Sequence, residues 1–541
     1  MPLYLFIGTF ILLIPISSYI GIPIPWITDE LCYIFGADTF LAGRLTNPSH
    51  QLSQFFENAH IIITPTYMSK YPPGQSMFLA LGKLIFHDYY YGVILTMSLF
   101  AASFYWLLKS LISNKLALSS TIIITFILAI STGFGRTYIP GGLPAAAACL
   151  ALGSYIYSYK LGQLSKPLQL VVGIFILSVT RPLEGLVLIT ALGIFFLYDL
   201  VKKNIKTGNL KPFTLIVFIG SSITILLHAI YNYSGTGNYF LMPNALHTRQ
   251  YMIIPYMWFG NIVPMGVKPS TDIVYQLFAN WAREPYDSIA VMGWLEKTIY
   301  MFARIFLTTY SIVFAVITII FCISSKALDS ISKRLTLLLL ISLSTSSLIT
   351  WLVHYYVFAA IIISMTLSLH VFSKTAEEAK IESKNPDKKF MFKISYLMVM
   401  SIIALLVTGV SIYKAQESKN NYHLTYQAPA AVKEKLIHEL EAKNAYNLVF
   451  VRYGDYHQAN KEEIYDSSIY YNLTMGYVYN GPNIDAQKTV FAHDLGEKEN
   501  LKLISYYKSM NQDRKLWRLD LSGISYKDGK FTIPPIEIYK Y

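Results

Sequence analysis

Apolar stretches long enough to cross a lipid bilayer recur along most of this 541-residue chain. Most cover about 17–25 residues, the length at which a helix spans roughly 30 Å of hydrocarbon. Hydrophobic residues make up 54% of the chain and charged residues only 14%, far less charge than a soluble protein of this size carries. The sequence therefore predicts an α-helical polytopic membrane protein with about 11 transmembrane helices.

Charge between the apolar stretches predicts the orientation of the chain. Lys and Arg cluster in five connections that fall on one side of the membrane, and cytoplasmic loops are the ones that carry such an excess. The N-terminus is then cytoplasmic, and everything after residue 414 lies outside. The predicted spans are 3–22, 91–109, 116–132, 141–159, 168–180, 184–200, 212–231, 299–323, 335–351, 355–372 and 393–413. The basic connections are 109–115, 160–166, 202–211, 326–334 and 374–393.

Net charge and cysteine usage exclude two other classes of protein. The formal charge of +12 could indicate nucleic acid, but the basic residues fall in the short connections between spans, where they act as topology signals. Cys32, Cys149 and Cys322 lie far apart and form neither a disulfide framework nor a metal-binding spacing. We therefore expect no nucleic-acid partner and no cofactor. The N-terminus lacks a basic region and a cleavage site, so the first span is expected to be retained.

Two domains are predicted. Residues 1–413 form the transmembrane domain, with a first outer loop at 23–90 and a long outer loop at 232–298. Residues 414–541 are polar and rich in Lys, Glu and Asn, and they are numerous enough for a small domain outside the membrane.

Local patterns predict the elements of the outer segments. In the first outer loop, Leu31–Leu45 has helical periodicity with aromatic residues on one face, and Gly74–Phe86 is a short apolar helix at the membrane surface or re-entering it. In the tail, strands alternate with helices, which is typical of a small α/β domain. The predicted tail elements are a helix at 431–443, a strand at 447–453, a strand at 488–493, a helix at 499–508 and a strand at 515–519.

The first candidate for chemistry is the carboxylate pair Asp29–Glu30, in the polar segment that follows the first span. An acidic pair at the end of a span can simply be solvated. Here, however, apolar helices flank the loop, so a carboxylate can lie in a cleft of low dielectric where its basicity rises. Such a group can remove a proton from an acceptor hydroxyl or amine.

The second candidate is the turn Lys70-Tyr-Pro-Pro-Gly74. The two prolines hold the backbone extended and Gly74 permits a turn into the following helix, so the turn would aim Lys70 at a fixed point. A Lys ammonium is a compact cation that suits a phosphate group. The alternative is a plain loop interrupted by prolines.

Arg181-Pro-Leu-Glu184 joins two spans with almost no loop. Ionisable groups at membrane depth are costly and commonly mark a working site. An internal ion pair between Arg181 and Glu184, which would pin the hairpin, is the structural alternative.

Four further residues are candidates for the outer cleft. Arg136 follows the third span, and Arg249 lies in the long outer loop, which could cover a ligand or pack on lipid. His60 and His354 are lone histidines near the outer interface, where a histidine more often completes local packing than binds a ligand. There is no HExxH, CxxC or Asp-rich cluster, so no metal site is predicted, and there is no nucleotide-binding motif.

Taken together, these residues resemble the GT-C superfamily of integral-membrane glycosyltransferases. The nearest branch contains glycosyltransferase family 39 and the RgtA/B/C/D-like bacterial proteins. Family 39 includes the protein O-mannosyltransferases. The shared pattern is an Asp-Glu pair in the first outer loop, here Asp29-Glu30, and a Pro-Pro-containing turn before the second span, here Lys70-Tyr-Pro-Pro-Gly74. Several further stretches look like an uncharacterised bacterial subgroup: Phe55–His60, Pro65–Gly74, Arg181–Gly185, Phe450–His457 and Val478–Asn480.

The resemblance implies transfer of a hexosyl or pentosyl group, with inversion, from a polyprenyl-phosphate donor to a glycan, lipid or protein acceptor. The reaction would take place at the outer face of the bacterial inner membrane, with the tail periplasmic. Asp29 matches the catalytic carboxylate of the family, with Glu30 beside it, and Lys70 matches the contact to the donor phosphate. Tyr71 is placed next to that phosphate. Some GT-C enzymes need a divalent metal, but this sequence offers no clear set of ligands for one.

The other site assignments rest on depth and charge. Arg181 and Arg249 are expected at the donor phosphate, and His60, Arg136, Glu184 and His354 are other cleft candidates. The tail is expected over the cleft, where it could contact the acceptor.

Three other functions remain open, one of which is that of a structural envelope protein with a periplasmic interaction domain. A transporter or flippase of lipid-linked glycans would show inverted repeats and mid-membrane charges, and the sequence shows neither. A polymerase or ligase that moves a whole glycan from a polyprenyl diphosphate is poorly separated from single-sugar transfer by sequence.

Overall fold

A computed structural model describes most of the chain, and it divides into two compact units. The helical unit comprises residues 1–20, 93–226 and 291–418, and the mixed unit comprises 21–92, 227–290 and 419–541. The described residues are 1–25, 27–130, 134–281, 283, 286–287, 291–293, 295–296, 299–300, 329–346, 348–349, 358–382, 429–442, 445–454, 476–523, 525–527, 530–532 and 535–539.

Apolar helices make up the described part of the helical unit. Nine of the eleven predicted spans coincide with a helix, while the span at 393–413 and all but the first two residues of the span at 299–323 fall outside the described residues. The helices are Pro2–Ile20, Tyr90–Leu108, Asn114–Ile130, Gly142–Leu161, Pro167–Thr180, Pro182–Val201, Leu210–Thr236, Ser330–Ser346 and Phe358–Glu382, with a 3-10 turn at Thr207–Asn209. The second and seventh of these helices contain the boundaries between the two units.

Four helices among the described residues are long and apolar enough to cross a membrane. They are Pro2–Ile20, Tyr90–Leu108, Pro182–Val201 and the segment Thr207–Thr236. Length and composition thus identify a helical membrane protein.

Glycine and proline set the turn between two consecutive helices of the helical unit. Gly162 adopts a left-handed conformation with φ of 62° after Leu161, which ends the preceding helix without strain. Pro167 then starts the next helix at its first position, where the missing N–H costs nothing. Arg181 separates this second helix from one that begins at Pro182, so the hairpin has a single residue between its helices.

The helical unit contains a buried charge network that the sequence analysis did not predict. Asp199 is fully buried and forms an ion pair with Arg334. Its carboxylate also accepts hydrogen bonds from the Tyr155 hydroxyl at 2.7 Å and from the Asn204 amide at 2.8 Å. Arg334 stacks on the ring of Tyr159, 4.2 Å from its centroid. Arg334 is therefore a structural residue and not only a topology charge.

In the mixed unit, the first outer loop folds as two helices around a small sheet. Both helices were predicted. Gly74–Phe86 has the expected bounds, and the helix expected at Leu31–Leu45 begins and ends a few residues earlier, at Thr28–Leu41. The antiparallel sheet was not predicted, because its strands are only two to four residues long. The strands are Asn47–Pro48, Ile61–Ile62 and Thr66–Ser69, the last in the centre, and a 3-10 turn lies at Ser53–Phe56.

The described part of the long outer loop includes three short helical elements of the mixed unit. They are Pro243–Tyr251, Asp272–Gln276 and a π-helical turn at Leu277–Trp281. Their apolar residues pack with Ala59 of the first outer loop in one buried cluster. Glu57 accepts hydrogen bonds from the backbone N–H of Ser270, at 2.7 Å, and from its hydroxyl. The two outer loops are thus joined to each other.

The tail folds as a mostly parallel sheet with helices, as predicted. Its central strand lies between two parallel neighbours, and a short antiparallel strand closes one edge. The strands are Asn447–Arg452, Thr489–His493, Lys515–Asp520 and Glu537–Ile538, the helices are Pro429–Glu441 and Glu497–Ser509, a 3-10 turn lies at Leu521–Gly523, and a hairpin pairs Ser525–Lys527 with Lys530–Thr532.

The first outer loop and the tail share one hydrophobic core. Phe35, Phe55 and Phe56 of the loop pack in the same buried cluster as Phe450 and Tyr507 of the tail. Fully burying a large apolar side chain contributes about 1.5–3 kcal/mol, so this core binds the two segments firmly. A domain boundary at 413/414 lies outside the described residues and stays a prediction.

Candidate active site

Two short elements bring the candidate residues together. Asp29 lies in the first turn of the helix Thr28–Leu41. His60 and Lys70 flank a pair of antiparallel strands in which Ile61 is opposite Ser69, and the Lys70 N–H donates to the His60 carbonyl at 3.1 Å. The strand pair therefore presents both side chains at the same end, against the helix that carries Asp29.

Both oxygens of the Asp29 carboxylate have partners. Oδ2 lies 3.2 Å from Nε2 of His60, and Oδ1 accepts a hydrogen bond from the Tyr71 hydroxyl. Tyr71 is held by stacking on Tyr33, with ring centroids 4.6 Å apart. The Lys70 Nζ lies 5.1 Å from the centroid of the Tyr71 ring. Asp29, His60, Lys70 and Tyr71 thus form one cluster, called here the Asp29 cluster.

The basicity of Asp29 differs from the prediction. Burial alone would raise the pKa of Asp29, as the sequence analysis expected. The charge and hydrogen bond of His60, the Lys70 ammonium and the Tyr71 hydroxyl together outweigh burial and hold the pKa of Asp29 well below its usual range. The expectation of a more basic carboxylate is wrong, because three donors or cations surround the group. Asp29 is therefore ionised at neutral pH.

The partners of Asp29 are also perturbed. Burial and the nearby Lys70 ammonium lower the pKa of His60, and Asp29 opposes them only in part. Burial likewise lowers the pKa of Lys70, again against the attraction of Asp29. Perturbed pKa values from burial and specific charge partners are common at functional sites. His60, one of the other cleft candidates, thus lies directly against the carboxylate.

Two further residues border the Asp29 cluster and were not predicted as site residues. His247 is fully buried, its ring centroid lies 6.3 Å from that of His60, and its Nε2 donates to the Ala59 carbonyl at 2.9 Å. The Cys32 thiol donates to the His60 carbonyl at 2.8 Å, and burial raises its pKa to about 11. For His247, the only signal in the sequence was its position close to Arg249.

Glu30 has a structural contact of its own. Its side chain is buried, and Oε2 accepts a hydrogen bond from the Ile27 N–H at 3.4 Å. This contact satisfies one of the unpaired donors at the N-terminus of the helix Thr28–Leu41. Glu30 and Asp29 are neighbours in sequence, but their described contacts differ.

The remaining candidates belong to other elements of the two units or lie outside the described residues. Arg249 is exposed on the helix Pro243–Tyr251 of the mixed unit. Arg136, Arg181 and Glu184 belong to the helical unit. His354 lies outside the described residues.

In the helical unit, the charge of Arg181 acts on the Glu184 carboxyl, but among the described residues no hydrogen bond joins the two side chains. Arg181 is buried, with its guanidinium 5.5 Å from the centroid of the Phe358 ring. Both carboxylate oxygens of Glu184 are buried and have no hydrogen-bond partner among the described residues. Glu184 instead lines a cavity with Ser342 and Thr345.

Among the described residues, no group of three or more His, Cys, Asp or Glu side chains is placed to hold a metal ion.

Comparison with known proteins gives distant structural neighbours only. No protein-family model and no curated protein matches the chain. The oligosaccharyltransferase AglB from Archaeoglobus fulgidus, solved with an inhibitory peptide and a dolichol-phosphate, is similar at 11% identity and a TM-score of 0.46. That likeness covers 96% of this chain and 69% of AglB.

A second neighbour is similar over nearly its whole length. ArnT from Cupriavidus metallidurans, solved with undecaprenyl phosphate, shares 9% identity at a TM-score of 0.46, covering 98% of this chain and 97% of ArnT. At these TM-scores the likeness carries no argument about function, which has to come from the site.

Proposed function

We propose that this protein is a membrane glycosyltransferase that moves a hexosyl or pentosyl group from a polyprenyl-phosphate donor. The acceptor is a glycan, lipid or protein at the outer face of the bacterial inner membrane. The N-terminus is then cytoplasmic, and the first outer loop, the long outer loop and the tail lie outside. Two features support this function: the apolar helices and the chemistry of the Asp29 cluster.

The observation that carries the proposal is an ionised, partly buried carboxylate with a lysine beside it, close in sequence to a membrane-spanning helix. Asp29 follows the helix Pro2–Ile20 by nine residues, and Lys70 is near enough to lower its pKa. A sugar linked to a lipid phosphate has its anomeric carbon at headgroup level. A proton acceptor and a cation at that level are the two groups that transfer from such a donor needs.

The reaction assigns one task to each group. The acceptor oxygen or nitrogen forms a bond to the anomeric carbon, and the bond from that carbon to the phosphate oxygen breaks. The proton of the acceptor passes to the Asp29 carboxylate, and the electron pair of the broken bond leaves with the polyprenyl phosphate. Lys70, supported by the Tyr71 ring, stabilises the charge that develops on the phosphate.

Asp29 needs a free oxygen to receive the proton. In the structure, Tyr71 and His60 occupy both oxygens, so the acceptor hydroxyl would replace one of these donors. His60 keeps the carboxylate oriented while the other oxygen reacts. Arg181 and Arg249 stay proposed as further contacts to the phosphate, and Glu30, Arg136, Glu184 and His354 as further candidates of the cleft.

The test compares three strains of the host: a deletion, the deletion complemented with the wild-type protein, and the deletion complemented with Asp29→Asn at the same level in the membrane. Mass spectrometry measures polyprenyl-phosphate-linked sugars and envelope glycans. We expect the deletion and the Asp29→Asn strain to lose the same sugar and to accumulate the same lipid-linked donor. The mass difference then identifies the sugar. If Asp29→Asn behaves as wild type while the deletion alters the envelope, transferase chemistry at Asp29 is refuted.

A further inference from the structure

We propose that Tyr479, in the tail, is a positioning residue that holds the helical turn carrying Asp29 in register with His60. This inference rests on the proposed function. It assigns the tail a role inside the active site, in addition to any contact with the acceptor. The contacts that carry it lie within the mixed unit.

Three consecutive tail residues each bond to the first outer loop. The Tyr479 hydroxyl donates to the Leu31 carbonyl at 2.7 Å. The Val478 carbonyl accepts from the Asn58 amide at 2.9 Å, and the Asn480 carbonyl accepts from a tyrosine hydroxyl of the central loop strand. A run of three such contacts fixes the tail segment against the loop at a defined register.

The same tail segment is anchored on its other side to the tail domain. Lys433 is buried and its Nζ donates to the carbonyl of Tyr479. The side chain of Asn480 exchanges two hydrogen bonds with the backbone of Phe491, at 2.8 and 3.0 Å. The Tyr479 hydroxyl is therefore presented from a rigid support.

The tail holds both members of the Asp29–His60 pair from nearby backbone positions. Leu31 lies two residues after Asp29 in the same helical turn, and Asn58 lies two residues before His60. The contact between Asp29 and His60 is 3.2 Å, longer than the 2.7–2.9 Å that is usual for a charge-assisted hydrogen bond. A contact of this length is sensitive to a small displacement of the turn, so the hydrogen bond from Tyr479 to Leu31 helps to keep the pair in place.

The experiment compares Tyr479→Phe with two matched Tyr→Phe variants in the full-length protein. Tyr477→Phe removes a buried hydroxyl from the same segment that has no hydrogen-bond partner among the described residues. Tyr67→Phe removes a tail-to-loop hydrogen bond of 3.2 Å that does not end on the Asp29 turn. Membranes of the deletion strain, which hold both donor and acceptor, supply the substrates. The initial rate of sugar transfer is measured between pH 4 and 9.

We expect Tyr479→Phe to lower the rate about tenfold, because sub-ångström misplacement of a reacting group already has large kinetic effects. The Asp29 acid limb of the wild-type protein lies below this pH range, so a fall of the rate toward pH 4 that appears in Tyr479→Phe alone reports a carboxylate that has lost part of the support that keeps it ionised. Hydrogen exchange in a peptide covering residues 28–35, followed by mass spectrometry of the detergent-solubilised protein, rises in Tyr479→Phe alone. Tyr477→Phe and Tyr67→Phe keep the wild-type pH profile.

The outcomes separate the two proposals. If the wild-type protein transfers sugar and Asp29→Asn does not, but Tyr479→Phe matches Tyr67→Phe in rate, pH profile and exchange, the positioning role is overturned and the proposed function stands. If Tyr479→Phe loses stability to the same extent as Tyr67→Phe but alone shifts the pH profile, the positioning role is supported. Absence of transfer by the wild-type protein would count against the proposed function itself, while the exchange measurement would still test the contact between Tyr479 and the Asp29 turn.

Discussion

The Nε2 atom of His60 lies 3.2 Å from Oδ2 of Asp29, and this contact joins the end of a two-residue strand to the first turn of a helix. The partners are separated by 31 positions in the chain, and neither element would be stable alone. Their alignment therefore depends on the packing of the whole first outer loop. Because the pair lies within a loop that shares its core with the tail, the tail influences the site through the backbone.

The carboxylates of Asp29 and Glu30 are expected to differ in their effect on activity. Asp29→Asn keeps the size of the side chain but removes the proton acceptor, so sugar transfer should fall by about 100-fold or more. Glu30→Gln should keep most of the activity and change mainly the stability of the helix start, because Glu30 accepts the Ile27 N–H. Initial rates in membranes and thermal unfolding in detergent measure the two effects. Equal loss of transfer in both variants would show that Glu30 also takes part in the chemistry.

Lys70 should be needed for the donor phosphate, and the chain offers a matched control. Lys83 lies in the same outer loop, and its Nζ is 5.0 Å from the centroid of the Tyr89 ring, much as Lys70 lies over Tyr71. Lys70→Met should lower transfer at least about tenfold, the worth of one hydrogen bond to a charged group, and Lys70→Arg should restore part of it. Lys83→Met should leave the rate close to wild type. A similar fall for both Met variants would indicate a general effect of loop charge and not a phosphate contact.

Much of the fold could be predicted because its signals are local. The apolar face and length of Gly74–Phe86 define that helix with no reference to the rest of the chain, and the tail strand Asn447–Arg452 contains four consecutive apolar residues, Leu448–Val451. The strands Asn47–Pro48 and Ile61–Ile62 are too short to carry such a pattern. They form because the loop around them packs on the tail.

The site was only partly accessible from sequence for the same reason. The motifs singled out Asp29 and Lys70, but the sequence could not show that His60 and Tyr71 would fill both carboxylate oxygens. The prediction of a raised pKa for Asp29 considered burial alone, and it was wrong because the partners arrive from distant positions. Arg334 likewise was interpreted only as a charge that sets the topology, because its partner Asp199 is distant in the sequence.

His493 should make the stability of the protein depend on pH. Burial lowers the pKa of His493 to about 4, and its Nε2 donates to the Glu57 carbonyl at 2.7 Å. In the unfolded chain a histidine has a pKa of about 6.5. Above that value both states are neutral and the stability is fully present. As the pH falls toward 4, the unfolded state binds the proton first, and the folded state loses on the order of 3 kcal/mol.

The variant His493→Gln isolates this contribution, because the Gln amide can still donate to Glu57 but does not titrate. Unfolding in detergent, followed between pH 7 and 4, should show a smaller loss of stability for His493→Gln than for the wild-type protein. His438 is the control, as it lies on the tail helix Pro429–Glu441. His438→Gln should leave the pH dependence unchanged. Identical pH profiles for the wild-type protein and His493→Gln would mean that His493 does not stay neutral when buried.

The buried ion pair between Asp199 and Arg334 gives the last prediction. Arg334→Met leaves the Asp199 carboxylate fully buried without its cation, which should cost about 3–5 kcal/mol of stability. The double variant Asp199→Leu/Arg334→Met should recover part of the loss, since it removes the uncompensated charge. The exposed pair of Arg283 and Asp287 is the matched control, and Arg283→Met should change the stability by less than about 1 kcal/mol. Thermal unfolding midpoints in one detergent compare the variants, and a midpoint for Arg334→Met equal to that of Arg283→Met would show that Asp199 is solvated in the folded protein.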